Sequence, residues 1–184
     1  MSLYQKINIL WKSFQLGDME AFATIYNQHL NTLYRYGTKL CTDEEIVKDA
    51  IQEVFLDLYL KREKNKTNPE NLKYYLILSL KRNLIKKLKK DRKSGESNSG
   101  YELTFEPGYN IEQTMIENEE ESEKRRRIEF MISELPLKQK EALYLRFNES
   151  MEYPEIAKVM KISVESVRKQ VYRAIKTVRE VFVK

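Results

Sequence analysis

The sequence predicts an all-α fold of two small helical domains joined by a flexible acidic linker, and three observations carry that prediction. Glycine and proline are scarce, at 5 Gly and 4 Pro in 184 residues, while 33% of the residues are charged and 41% hydrophobic. That balance favours soluble helices over sheets. Apolar residues recur at three- and four-residue steps along most of the chain, the period of a helix with one buried face. The period lapses over Ser94-Gly-Glu-Ser-Asn-Ser-Gly-Tyr-Glu-Leu-Thr-Phe-Glu-Pro-Gly-Tyr109, a stretch rich in turn and linker residues. The expected domains are therefore residues 1–92 and 123–184, with 93–122 as the linker.

A first helix is expected from near Leu3 to Leu16. Gly17-Asp18 follows, and Asp18 can cap a second helix whose broad apolar face carries Phe22, Ile25, Tyr26, Leu30, Leu33, Tyr34 and Leu40. A third helix begins at Thr42, which with Glu45 makes a capping-box pattern. It continues through Ile46, Ala50, Val54, Leu58 and Leu60 on the core side and displays Asp49, Gln52, Glu53 and Asp57 on the other.

Residues 62–70 form a polar loop ending in Asn68-Pro69, a cap followed by a first-turn proline. The fourth helix runs from about Glu70 to Arg92, apolar at Leu72, Leu76, Leu80, Leu84 and Leu88. Tyr74 and Tyr75 mark its first half, and bases from Lys81 to Lys93 fill its second. Aromatics beside bases suit stacking on unpaired bases along a tracked backbone; the same residues also allow core tyrosines and a basic face on an anionic membrane.

Beyond the linker, an acidic-then-basic helix is expected from Gln113 to Ser133, its charges ordered to match the helix dipole. Leu135-Pro136 ends it and starts the next helix, Leu137 to Phe147, with Ala142, Leu143 and Phe147 facing inward. The last two helices read as a helix-turn-helix. Pro154 suits a first helical position, and Ile156, Ala157 and Met160 make a short apolar face. Ser163 is the N-cap candidate of the final helix, where Val164, Val167, Val171, Ala174, Ile175 and Val178 form the inward stripe. Its outer face carries Glu165, Ser166, Arg168, Lys169, Gln170 and Arg173, with Tyr172 at the edge, a chemistry suited to phosphates and base edges in a major groove. A solvated basic face on an ordinary helix pair has the same pattern.

Charge is divided into blocks. Residues 1–60 hold 5 basic and 8 acidic side chains, 61–93 hold 13 and 3, 94–123 hold 0 and 9, and 124–184 hold 15 and 8. Two basic blocks, each able to displace counterions from nucleic acid, thus flank an acid that a duplex repels. One cysteine, Cys41, and one histidine, His29, cannot make a disulfide framework or a protein-only zinc site. Cys41 reads as a core or helix-end residue and His29 as a surface residue. No apolar run approaches a membrane span and the first residues lack a signal-peptide core, so the expected compartment is the cytoplasm. Nothing resembles a phosphate-binding glycine loop, a nucleophile with its base or a metal cluster, so neither an enzyme, a cofactor nor a small-molecule substrate is expected.

These residues resemble the sigma factors of bacterial RNA polymerase, in the short extracytoplasmic function branch of the sigma-70 family. Leu135-Pro136, Lys140-Glu141-Ala142-Leu143, Tyr144-Leu145-Arg146-Phe147, Glu155-Ile156-Ala157, Ile162-Ser163, Ser166-Val167-Arg168 and Arg173-Ala174 look like region four. Gly17-Asp18, Ala21-Phe22, Tyr26, Asp49-Ala50-Ile51-Gln52-Glu53-Val54-Phe55, Asn71-Leu72-Lys73 and Tyr75-Leu76, with the basic helix, look like region two. The order and spacing of both halves carry the resemblance.

The resemblance implies a factor that binds core polymerase and directs promoter-specific initiation. Asp49, Gln52 and Glu53, with Leu56 on the same stripe, match positions that dock on a coiled coil of the largest subunit. The loop at 62–70 and the fourth helix, through Tyr74, Tyr75, Arg82, Asn83, Lys86 and Lys87, match elements that open the minus-ten element and hold its non-template strand. Either Arg82 or Asn83 takes the strand-opening position, because Arg82-Asn83 sits one residue late in the family frame. Ser166, Arg168, Lys169, Tyr172 and Arg173 match positions facing the minus-thirty-five duplex. The acidic linker is implied to pass near the polymerase active-site and RNA-exit path, and an inhibitory anti-sigma partner, often membrane-bound in that family, is implied too. Lys161 departs from the family by standing where its turns commonly place glycine; a positive φ there would store strain on the order of 1 kcal/mol.

Two other readings share these features. A dimeric repressor or activator would use the C-terminal module alone and leave the Asp49–Phe55 helix without a use. A membrane-surface or RNA-associated protein working through residues 81–93 would leave the C-terminal module unexplained.

Overall fold

A computed structural model describes residues 3–65, 67, 69–94, 105 and 119–180. The described residues are helical throughout apart from turns and contain no strand. They fall into two compact units, Met1–Leu103 and Thr104–Lys184.

The N-terminal unit comprises α1 (Leu3–Gln15), α2 (Met19–Leu40), α3 (Glu44–Leu60), two short 3₁₀ turns (Arg62–Lys64 and Pro69–Asn71) and α4 (Leu72–Ser94). The turn between α1 and α2 is made by Gly17, whose φ of 91° suits a residue without Cβ. Asp18 then caps α2, its carboxylate accepting from the amides of Glu20 and Ala21 at 2.9 and 3.3 Å. The cap of α3 is Asp43 rather than Thr42: its side chain accepts from the Glu45 and Ile46 amides at 2.9 and 3.2 Å. The carboxylate is the stronger acceptor at a positive helix end and lies one residue nearer.

Phe14, Ile25, Leu33, Tyr36, Val47, Leu58, Leu76, Leu80 and Leu84 fill the core of this unit. A chain of rings joins three of its helices, from Trp11 and Phe14 on α1 through Phe22 and Tyr26 on α2 to Phe55 and Tyr59 on α3, with centroids 4.6–6.4 Å apart. The α2 and α3 backbones approach closely at Gly37, where an added Cβ would meet Val47 Cγ1 at 2.6 Å. Leu60 is 65% exposed instead of buried, because α3 ends there and the chain turns away. Cys41 is a buried thiol at the C-cap of α2. His29 is half-buried and lines a cavity of about 460 Å³ with Trp11, Ile25, Leu72 and Lys73. Burial, and after it the Lys73 charge, depresses its pKa.

The C-terminal unit comprises α5 (Glu119–Ser133), α6 (Leu137–Phe147), α7 (Tyr153–Met160) and α8 (Val164–Glu180). Leu145, Ile156, Val159, Val167, Val171 and Ala174 form its centre. Phe105, in the segment expected as linker, is buried with its ring 5.6 Å from that of Tyr144. Two residues expected to face inward are exposed, Phe147 at 60% and Ile175 at 37%. Phe147 closes α6, where the neighbouring Tyr144 and Leu145 take the buried positions; on α8 the inward stripe narrows to the strict three- and four-residue line through Val167, Val171 and Ala174. The Asn68 cap, the linker at 95–104 and 106–118, and the start of the fifth helix at Gln113 lie outside the described residues.

Lys161 takes the left-handed conformation, with φ 54° and ψ 44°. The amide of Ile162 donates to the Ala157 carbonyl at 3.1 Å across it, the six-to-one bond of a Schellman turn. The turn therefore keeps the geometry that glycine favours while carrying a Cβ. Lys161→Gly is expected to stabilise the C-terminal unit by about 1 kcal/mol, read from amide exchange in α7 and α8. Faster exchange in the variant would contradict the strain argument.

Candidate nucleic-acid interface

Three surfaces collect the residues singled out above. On α3, burial of Val47, Ala50, Ile51, Val54, Phe55 and Leu58 fixes the helix rotation. Asp49, Gln52, Glu53 and Leu56 then share the opposite, exposed face, at steps of three, four and seven. Leu56 is 57% exposed, an apolar residue at the C-terminal end of an acidic and polar stripe.

On α4 the six candidate residues separate by direction. Arg82 and Lys86 are exposed, and Tyr74 and Tyr75 are half-buried. Asn83 and Lys87 turn toward α3, where Asn83 Nδ2 and Lys87 Nζ donate to Glu53 at 2.8 and 2.6 Å. Those hydrogen bonds, Lys87's foremost, hold the Glu53 carboxyl below its ordinary pKa. The Glu53 side chain is still 55% exposed, so solvent screens the pair and its stabilising effect is small. Asn83 Oδ1 is buried without a hydrogen-bond partner. Glu53 thus belongs to the α3 stripe and to the basic helix at once.

On α8, Ser163 Oγ accepts from the Ser166 amide at 3.1 Å and its hydroxyl donates to Ser166 Oγ at 2.9 Å, as the N-cap expectation required. Val167, Val171 and Ala174 pack inward, which turns Arg168, Lys169, Tyr172 and Arg173 to solvent with Ser166 half-buried at the start. Lys169 pairs with Glu165 at 2.6 Å, and Tyr172 is 68% exposed. This face belongs to the second helix of a helix-turn-helix, the element such motifs lay in a major groove. Tyr153 also belongs to this neighbourhood, since the Arg168 guanidinium lies over its ring. No spacing in the sequence signals that contact, because it joins the start of one helix to the side of the next.

Family models identify both units of the chain. Residues 25–94 match sigma-70 region two and residues 125–178 match sigma-70 region four. The chain belongs to the sigma-70 family. Region two followed by region four is the two-domain organisation of its extracytoplasmic function branch, and the chain is accordingly a sigma factor that binds core RNA polymerase and directs promoter-specific initiation. A stand-alone repressor has no place for region two, nor a membrane-surface protein for region four.

Solved structures agree on the fold. RpoE of Bartonella quintana, bound to the anti-sigma factor NepR, is 16% identical with a TM-score of 0.59, over 88% of this chain and 96% of that one. CnrH, bound to the cytosolic domain of CnrY, is 17% identical with a TM-score of 0.55, over 95% of each chain. No curated protein gives a significant match by sequence.

Proposed function

We propose that this sigma factor divides its work among the three surfaces. Asp49, Gln52, Glu53 and Leu56 dock on core polymerase. Tyr74, Tyr75, Arg82, Asn83, Lys86 and Lys87 hold the melted minus-ten strand, and Ser166, Arg168, Lys169, Tyr172 and Arg173 read the minus-thirty-five duplex. The observation that carries the reading is the α3 stripe, an exposed acidic surface ending in the apolar Leu56 on a chain of net charge +5. An acidic stripe adds nothing to DNA binding, whereas acidic side chains next to an exposed apolar anchor suit a basic protein partner.

Promoter opening then needs binding energy alone. Bases that leave the duplex stack on aromatic rings while Arg82 and Lys86 track the backbone, and each stacked base contributes about 1–3 kcal/mol. No bond is made or broken by the chain, which acts as an initiation factor and not as an enzyme. Its place of work is where the polymerase is, the cytoplasm; no helix among the described residues is long and apolar enough to cross a membrane. The protein partners of CnrH and RpoE support an anti-sigma partner for this chain as well.

The melting assignment is tested with Arg82→Ala and Tyr75→Ala holoenzymes at a cognate promoter. Each is expected to bind the closed promoter normally and to lower permanganate reactivity of start-site thymines about fivefold or more, the equivalent of one lost stacking or phosphate contact. Normal reactivity in both would remove these residues from strand holding.

A further inference from the structure

Tyr153 opens α7 with its ring under two guanidinium groups drawn from different helices. Arg146 Cζ, at the end of α6, is 5.0 Å from the ring centroid, and Arg168 Cζ, on α8, is 5.7 Å from it. Both lie within the ~6 Å reach at which the quadrupole of a ring attracts a cation. The two arginines are held differently. Arg146 Nη1 donates to the Met151 carbonyl at 2.8 Å and to Glu152 Oε1 at 2.9 Å, so its charge is paired and its position tied to the turn before α7. Arg168 is exposed on the face of α8 that points to solvent.

We propose that Tyr153 is a positioning residue for duplex recognition, its ring presetting the guanidinium of Arg168 before DNA arrives. This rests on the reading of α8 as the recognition helix. An exposed arginine samples many rotamers, and ordering it on binding subtracts from affinity; a ring fixed at the start of α7 removes part of that loss in advance. Because Glu152 already neutralises Arg146, the cation beside the ring repels Arg168 little. The guanidinium of Arg168 keeps its charge and its hydrogen-bond donors for the duplex.

The experiment is a double-mutant cycle on the full chain bound to core polymerase, with affinity for a minus-thirty-five duplex as the readout. Tyr153→Phe keeps the ring face and is expected to bind as the unaltered protein does. Tyr153→Leu keeps bulk but not the face and is expected to weaken binding about two- to fivefold, the range of an exposed cation–π contact. In an Arg168→Ala background the same Tyr153→Leu change is expected to have no further effect. A residue that only supports the fold would weaken binding equally in both backgrounds, and that outcome overturns the proposal. Tyr153→Gln serves the same comparison where the leucine variant unfolds early. If Arg168→Ala weakens binding while Tyr153→Leu does not, the positioning role alone fails; if Arg168→Ala has no effect, the recognition-helix reading fails with it.

Discussion

Asp49→Lys is expected to lower the affinity for core polymerase at least about thirtyfold, the loss of a hot spot of roughly 2 kcal/mol, with thermal unfolding unchanged. Asp49 is exposed on α3, so its replacement leaves the core packing of the helix alone. Glu53 is the less clean choice. It accepts from Asn83 and Lys87, and a lysine there would also push against Lys87 and disturb the α3–α4 contact. Leu56→Glu is the companion variant: it charges the apolar end of the stripe and is expected to weaken docking to a similar degree. Pull-down with purified core polymerase at fixed ionic strength reads both. Retention of either variant at normal affinity would take α3 out of the docking surface.

The second large effect is expected at Arg173. Its exposed guanidinium lies on the same face of α8 as Lys169 and Tyr172, and a bidentate contact to a guanine edge from there is worth about 1–3 kcal/mol. Arg173→Ala should therefore weaken promoter duplex binding about five- to a hundredfold at low salt and relax preference at one base pair. If Arg173 meets only phosphate, the loss is smaller and uniform across sequences, and the salt dependence falls by about one ion. An unchanged footprint and an unchanged salt slope would exclude it from the interface.

Much of this was legible in the sequence because the information is local. The Asp18 cap, the apolar line of α8 and the stripe from Asp49 to Leu56 follow from spacing along single helices. Local rules failed where neighbours compete: Thr42 and Asp43 both can cap α3, and a carboxylate won. Periodicity failed at helix ends and at the margin of a buried face, where Leu60, Phe147 and Ile175 keep the right phase but stay exposed. Nothing local could have revealed that Glu53 is bonded to residues 30 and 34 positions later, or that Phe105 packs on Tyr144. Lys161 lies between these cases. The family resemblance marks a position where glycine is common, and the structure shows lysine in the left-handed conformation there.

On the proposed reading, this chain confers promoter-selective initiation on core polymerase through two DNA-binding surfaces. Run-off transcription by purified core polymerase over a promoter library, with and without the full chain, tests it most directly. Transcripts are expected only in the presence of the chain, from promoters sharing both an upstream and a minus-ten element, and are expected to be lost with Asp49→Lys. Transcription independent of the chain, or repression of promoters already active, would contradict it.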